Sequence, residues 1–196
     1  MVKKIAVLVS GGGSNLQSII DNMDTMNGEV TLVVSNRKNA YGLQRAMDAN
    51  IEAVHISKDD QALIALLQER EIDLVVLAGY LAILSDEFIS AFPNRIINIH
   101  PSLIPSFCGH GAYGIHVHEM ALQRGVKVTG ATVHFVSEVV DGGPIIIQEV
   151  CQIGDLKYAS DIQERVLEIE HRILPKAIKL FCEDKLKVHQ ERVTIL

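Results

Sequence analysis

Cysteine is scarce in this chain and scattered. Its three copies, Cys108, Cys151 and Cys182, form no close pair, which argues against a disulfide framework and against a cysteine zinc cluster. Long apolar runs are missing too: none reaches the roughly 18 residues that would read as a membrane span. There is no basic excess. Lys and Arg number 18 against 24 Asp and Glu, a formal net charge of −6, so the footprint of a nucleic-acid binder is absent. That balance does not exclude a small anionic substrate, because local backbone amides bind phosphate whatever the net charge. The basic and apolar start, Met1 to Val9, is too short for a secretory leader and runs into glycines. A soluble cytoplasmic protein without membrane or nucleic-acid partners is expected. Its 196 residues suffice for one well-buried domain. No internal repeat, linker or low-complexity tract interrupts them.

Residues 4–9 read as a strand apolar on both faces, as in a covered parallel sheet. After the turn Ser10-Gly-Gly-Gly-Ser14, Leu16, Ile19, Ile20 and Met23 recur at helical spacing. Strands follow at 29–34, 53–56, 73–78 and 96–99, with helices at 41–49, 59–70 and 85–91 between them. Leu63, Leu66 and Leu67 are the expected buried positions of the 59–70 helix. This alternation predicts an α/β fold, an open and mostly parallel twisted sheet with helices on both faces and a Rossmann-like amino-terminal half. Residues 127–136 and 145–150 have strand propensity and flank an Asp-Gly-Gly-Pro turn, so an antiparallel addition is expected in the carboxyl-terminal half. Residues 160–184 are helical in phase, with Pro175 a point of kinking or restart. Residues 187–196 are either a small strand or loose.

Chemistry concentrates at three places. The first is Ser10-Gly-Gly-Gly-Ser-Asn15, where a strand meets a helix. Glycine allows close backbone approach, helix amides favour an anion, and Ser14 and Asn15 add donors and caps. Leu16 stands where a dinucleotide fingerprint needs glycine, and no P-loop lysine follows. The bland reading is a tight capped turn. The second is Asn98-Ile-His100, where period two turns an amide donor and an imidazole to one side at a strand's carboxyl end, before Pro101. Such a pair suits a reaction that makes an oxyanion and moves protons. The third is Asp141, either an Asp-Gly turn residue or a carboxylate paired with His100. His110, His116 and His118 match no zinc-site spacing, and no metal is expected. Cys108 to Gly114 reads as a loop lining the substrate.

Four stretches, Ile5–Gln17, Val75–Ser85, Asn98–Pro105 and Gly130–Pro144, together resemble the phosphoribosylglycinamide formyltransferase family of folate-dependent enzymes. The resemblance spans nearly the whole chain. It implies transfer of formyl from 10-formyltetrahydrofolate to the amine of glycinamide ribonucleotide, in purine synthesis, with no metal and no covalent nucleophile. It casts Asn98, His100 and Asp141 as catalytic. Gly12, Gly13, Ser14 and Asn15 match the phosphate loop, and Glu170 a residue near the glycinamide end. Leu81, Ile83, Leu84, Val139, Val140, Asp141, Gly142 and Gly143 match the folate pocket. One domain over 1–196 is expected, with the ribonucleotide half at 1–100 and folate-binding and catalytic completion at 101–196, as a monomer or homodimer. Ala82 departs from an Arg common in the family, and the 106–116 loop is longer than in some members. The Asn98–Pro105 stretch is similar to formyltetrahydrofolate deformylase and the formyl-methionyl-tRNA enzyme as well. Those carry an additional domain, and the opening strand here favours the ribonucleotide transferase. The acceptor-like glycine loop does so too. A nucleotide-binding sensor on the same sheet is the alternative outside this family.

Overall fold

The computed structural model describes residues 2–196. Strand β1 (Lys3–Val9) shows why the sheet is covered on both faces: Ile5, Val7 and Val9 enter one apolar core, and Ala6 and Leu8 the other. Period two in an all-apolar strand demands such a double burial. Parallel to it run β2 (Gly28–Ser35), β3 (Glu52–His55), β4 (Leu74–Leu77) and β5 (Ile96–His100). The sheet then changes sense. β6 (Val128–Phe135) pairs antiparallel with β5, and β7 (Ile145–Gln152) antiparallel with β6. The tail forms a hairpin, β8 (Leu186–His189) and β9 (Arg192–Ile195), and β9 joins β7 at the sheet's edge. The nine-stranded order is β3-β2-β1-β4-β5-β6-β7-β9-β8.

Among the described residues, six α-helices cover this sheet. α1 (Ser14–Asp21), α2 (Tyr41–Asp48), α5 (Ile115–Arg124) and α6 (Ala159–Cys182) bury residues in the first core, and α3 (Asp60–Glu69) and α4 (Asp86–Ala91) in the second. The expected α/β class and its antiparallel addition are therefore observed.

Local details differ from the sequence reading. α1 stops at Asp21, and a short 3₁₀ turn covers Met23–Thr25. Leu66 is only half-buried, because the α3 stripe that faces the sheet runs through Leu63, Ile64 and Leu67. α6 continues through Pro175 without restarting. Proline there removes one helical N–H, and burial of Leu174, Pro175 and Ala177 holds the helix on the sheet regardless. The tail is ordered into strands because Leu186, Val188 and Val193 pack on the first core.

Gly130 in β6 has no room for a side chain. A Cβ there would run into the Glu149 carbonyl of β7 and approach Leu103 to 2.8 Å. Gly130→Ala is expected to destabilise the fold by about 2–3 kcal/mol through overpacking. A thermal midpoint within one degree of the wild type would contradict that packing account.

Candidate functional site

Strand order reverses about β1 and β4, the switch point at which open α/β sheets hold ligands. The carboxyl ends of β1, β4 and β5 open there on a cleft of about 870 Å³. Three loops are laced together at its base. Ser10 Oγ donates to Asn36 Oδ1 at 2.6 Å and accepts from the Leu81 amide at 2.8 Å.

The glycine loop forms one end. Gly13 has φ +71°, and a Cβ on it would lie 2.8 Å from the Gly42 Cα, so the loop sits flush against α2. The Gly11 carbonyl accepts from the Gly42 amide, and the Gly12 carbonyl from Arg45 Nε at 2.8 Å. With its carbonyls held from behind, the loop presents helix-start amides to the cleft, which suits an anion. The expected side-chain caps are not what ends α1. Gly13 is the N-cap, and neither Ser14 nor Asn15 caps the helix. Asn15 is instead turned inward, where its Nδ2 donates to Glu170 Oε2 on α6 at 2.6 Å. Burial pushes the Glu170 carboxyl up to about 7, against the lowering effect of the Asn15 hydrogen bond.

The other end carries the acid–base cluster. Asn98 and His100 both line the cleft, as period two requires. Asp141 Oδ2 lies 3.5 Å from His100 Nδ1. Both readings of Asp141 hold together: it occupies a turn with φ +55°, and that turn delivers its carboxylate to the histidine. Asp141 Oδ2 also accepts the Gly109 amide at 2.8 Å, and His100 Nε2 bonds the Phe107 carbonyl at 3.0 Å. Both ring nitrogens of His100 thus face acceptors, and the 106–116 loop braces both catalytic candidates through its backbone.

Two histidines complete the cluster. His134 on β6 lies opposite Asn98 in register. Its Nδ1 faces the Phe135 carbonyl at 2.8 Å, and its Nε2 the Asn98 amide nitrogen at 3.1 Å. Burial, outweighing the Phe135 and Asp141 contributions, lowers its pKa. The neutral ring therefore carries its hydrogen on Nδ1, and Nε2 accepts one Asn98 amide hydrogen. That fixes the amide plane and leaves its second hydrogen unspent. His118 is buried on α5 and lines the cleft. Burial and the nearby His100 hold its pKa down to about 4, and its Nδ1 has no partner. Neither role was read from the sequence. His134 was visible only as a strand residue, and its meeting with Asn98 needs the β5–β6 register. His116, two residues before His118, points elsewhere and pairs with Glu119.

Between the two ends, Leu81, Ile83, Leu84, Val139 and Val140 give the cleft an apolar wall. Gly142 and Gly143 do not line it. They face a shallower cavity behind the Asp141 turn, because the chain reverses there to enter β7. Burial, with Asp141's charge, pushes the Cys108 thiol up, which keeps it protonated and a poor nucleophile.

A switch-point cleft with an anion loop at one end and an acid–base cluster at the other is the layout of a Rossmann-like α/β enzyme. Residues 3–178 match the Formyl transferase family model. Phosphoribosylglycinamide formyltransferase of Escherichia coli is 41% identical over 197 residues, covering 95% of this chain and 90% of that protein. The crystal structure of glycinamide ribonucleotide transformylase 1 from Symbiobacterium toebii superimposes with a TM-score of 0.93 at 43% identity, covering 100% of this chain and 94% of that one. A formyltetrahydrofolate deformylase from Pseudomonas syringae gives 0.88 at 27% identity, and this chain covers 66% of it. The chain belongs to the formyltransferase family, in its phosphoribosylglycinamide formyltransferase branch.

Glu170 yields a stability test. Its folded pKa of about 7 lies above that of an unfolded glutamate, about 4.3. The folded state holds this proton more tightly, so the group's contribution to stability is greatest at low pH. It declines as pH rises from about 4.3 to about 7. Glu170→Gln is expected to raise the thermal midpoint relative to wild type more at pH 8 than at pH 5. Equal differences at the two pH values would remove the buried-carboxyl account.

Proposed function

We propose that the protein transfers the formyl group of 10-formyltetrahydrofolate to the amine of N1-(5-phospho-D-ribosyl)glycinamide, releasing tetrahydrofolate. The observation that carries this reading is that the anion loop and the Asn98–His100–Asp141 cluster open on one cleft, joined by an apolar wall. A phosphorylated acceptor fits with its anionic end on the amides of Gly12, Gly13 and Ser14. Its amine then lies toward Glu170 and the histidines. The pterin fits the wall of Leu81, Ile83, Leu84, Val139 and Val140. Gly142 and Gly143 support that pocket by shaping the Asp141 turn. In this reading residues 1–100 carry the phosphate loop, and residues 101–196 supply Asp141, His134 and Glu170.

The residues have complementary tasks. Attack by the neutral amine places negative charge on the former formyl oxygen. Asn98 meets that oxygen with the amide hydrogen that His134 leaves unspent. His100, when both ring nitrogens carry hydrogen, adds positive charge beside that oxygen, its two N–H groups being turned to Phe107 and Asp141. Preorganised donors aimed at developing charge are usually the largest catalytic contribution. Asp141, 3.5 Å from the His100 Nδ1, holds the ring in place. The attacking amine must lose a proton and the departing folate nitrogen must gain one. In this reading Asp141 passes protons through ordered water.

Absorbance during incubation with 10-formyltetrahydrofolate, with and without glycinamide ribonucleotide, tests the assignment. Turnover that depends on the acceptor is expected. Formate release without the acceptor would instead favour the deformylase reaction. Asn98→Ala is expected to lower kcat roughly 10²- to 10³-fold, and His100→Ala and Asp141→Asn to lower it strongly, with circular dichroism unchanged. Wild-type turnover in a folded His100→Ala variant would sink the proposed role.

A further inference from the structure

We infer that Arg37 is a specificity residue that binds the anionic end of a sugar phosphate, an inference that rests on the transferase reading above. The cleft is poor in positive charge. Glu138, Asp141, Glu164 and Glu170 all line it, whereas Arg37 is the only Lys or Arg among the described residues that does so. The chain as a whole is negative. A phosphate dianion entering such a cleft meets the acidic groups of Glu138, Asp141 and Glu164, and amides alone supply only partial charges against them.

Arg37 stands where that charge is needed. It follows Asn36 past the carboxyl end of β2, and Asn36 is hydrogen-bonded to Ser10 at the start of the glycine loop. Its backbone is clasped in place. Ser35 Oγ accepts the Arg37 amide and donates to its carbonyl, both at 3.0 Å, and the Ala40 amide bonds that carbonyl as well. The guanidinium makes no ion pair or hydrogen bond among the described residues. Arg45, the nearest rival, is already committed. It holds the Gly12 carbonyl and Gln17 and lies over the Tyr41 ring, behind the loop. A rooted backbone with an uncommitted planar fork matches the geometry of phosphate capture.

A second feature of the same end points to a sugar phosphate. Asn15 lines the cleft and is more than nine-tenths buried, and its Oδ1 has no hydrogen-bond partner. A buried acceptor of this kind calls for a donor from the ligand. Glycine-loop amides and Arg37 for an anion, and Asn15 for a hydroxyl or amine, together describe a ligand that carries both.

Steady-state kinetics of Arg37→Ala and Arg37→Lys test this, alongside calorimetric titration of each protein with inorganic phosphate. Arg37→Ala is expected to raise the KM for the phosphorylated acceptor roughly 10- to 100-fold. Its kcat and its KM for 10-formyltetrahydrofolate should stay near wild type. Lysine should recover part of the loss, as a point charge without the fork, and phosphate affinity should fall in parallel with the acceptor. An unchanged acceptor KM in the folded variants overturns the inference. A KM effect confined to 10-formyltetrahydrofolate also overturns it, by assigning Arg37 to the folate carboxylates. If the wild type shows no acceptor-dependent turnover, the transferase reading fails by itself. The titration then still decides on Arg37: phosphate binding lost in Arg37→Ala supports it, and binding absent from the wild type or equal in both proteins overturns it.

Discussion

The hydrogen bond between Asn98 and His134 exists because β5 has unlike neighbours, parallel β4 on one side and antiparallel β6 on the other. An antiparallel register places two side chains directly across from each other on one face. Here it sets Asn98 against His134 and, two positions on, His100 against Thr132. The strand that ends in chemistry and the strand that returns beside it therefore share one rigid scaffold. The Asp141 turn follows from the same pairing, since it connects β6 to β7. A slip of one residue between β5 and β6 would turn His134 to the opposite face and strand the amide.

Burial decides the charge states around this scaffold. His134 and His118 are held neutral chiefly because an apolar surround penalises the cation. A neutral His134 can accept from Asn98, whereas a charged one would present a donor to a donor. The carboxylate of Asp141 is tolerated because the Gly109 amide and His100 meet it. Glu170, with one amide partner and deep burial, lies at the opposite extreme and holds its proton up to about 7. The cleft thus combines groups of different charge, each set by what surrounds it.

The two ends of the cleft are built by different physics. At the glycine loop, backbone does the work: carbonyls are drawn away by Arg45 and the Gly42 amide, and helix-start amides are left facing the ligand. At the far end, side chains from β5, β6, α5 and the Asp141 turn converge, and the loop after Pro101 locks them through two main-chain bonds. That division suits an enzyme of the formyltransferase family, in which one substrate must be held and a group must move.

Local sequence already determined much of this. The double-faced apolar runs of β1 and β4, the helical stripes of α1 and α6 and the glycine-rich strand–helix turn follow from periodicity and backbone sterics. The alignment of Asn98 with His100 does so as well, because it needs only neighbouring residues. Tertiary structure decided the rest. The sequence left Asp141 open between a turn residue and a His100 partner, and only packing showed it to be both. The inward turn of Asn15 to Glu170 joins α1 to α6 across most of the chain, and no local pattern encodes it. The capture of Asn98 by His134 depends on register, and the displacement of Gly142 and Gly143 into a neighbouring cavity depends on how the chain enters β7. Periodicity is a property of adjacent residues and is written in the chain. Register, burial and the pKa shifts they produce arise only when distant segments exclude water together.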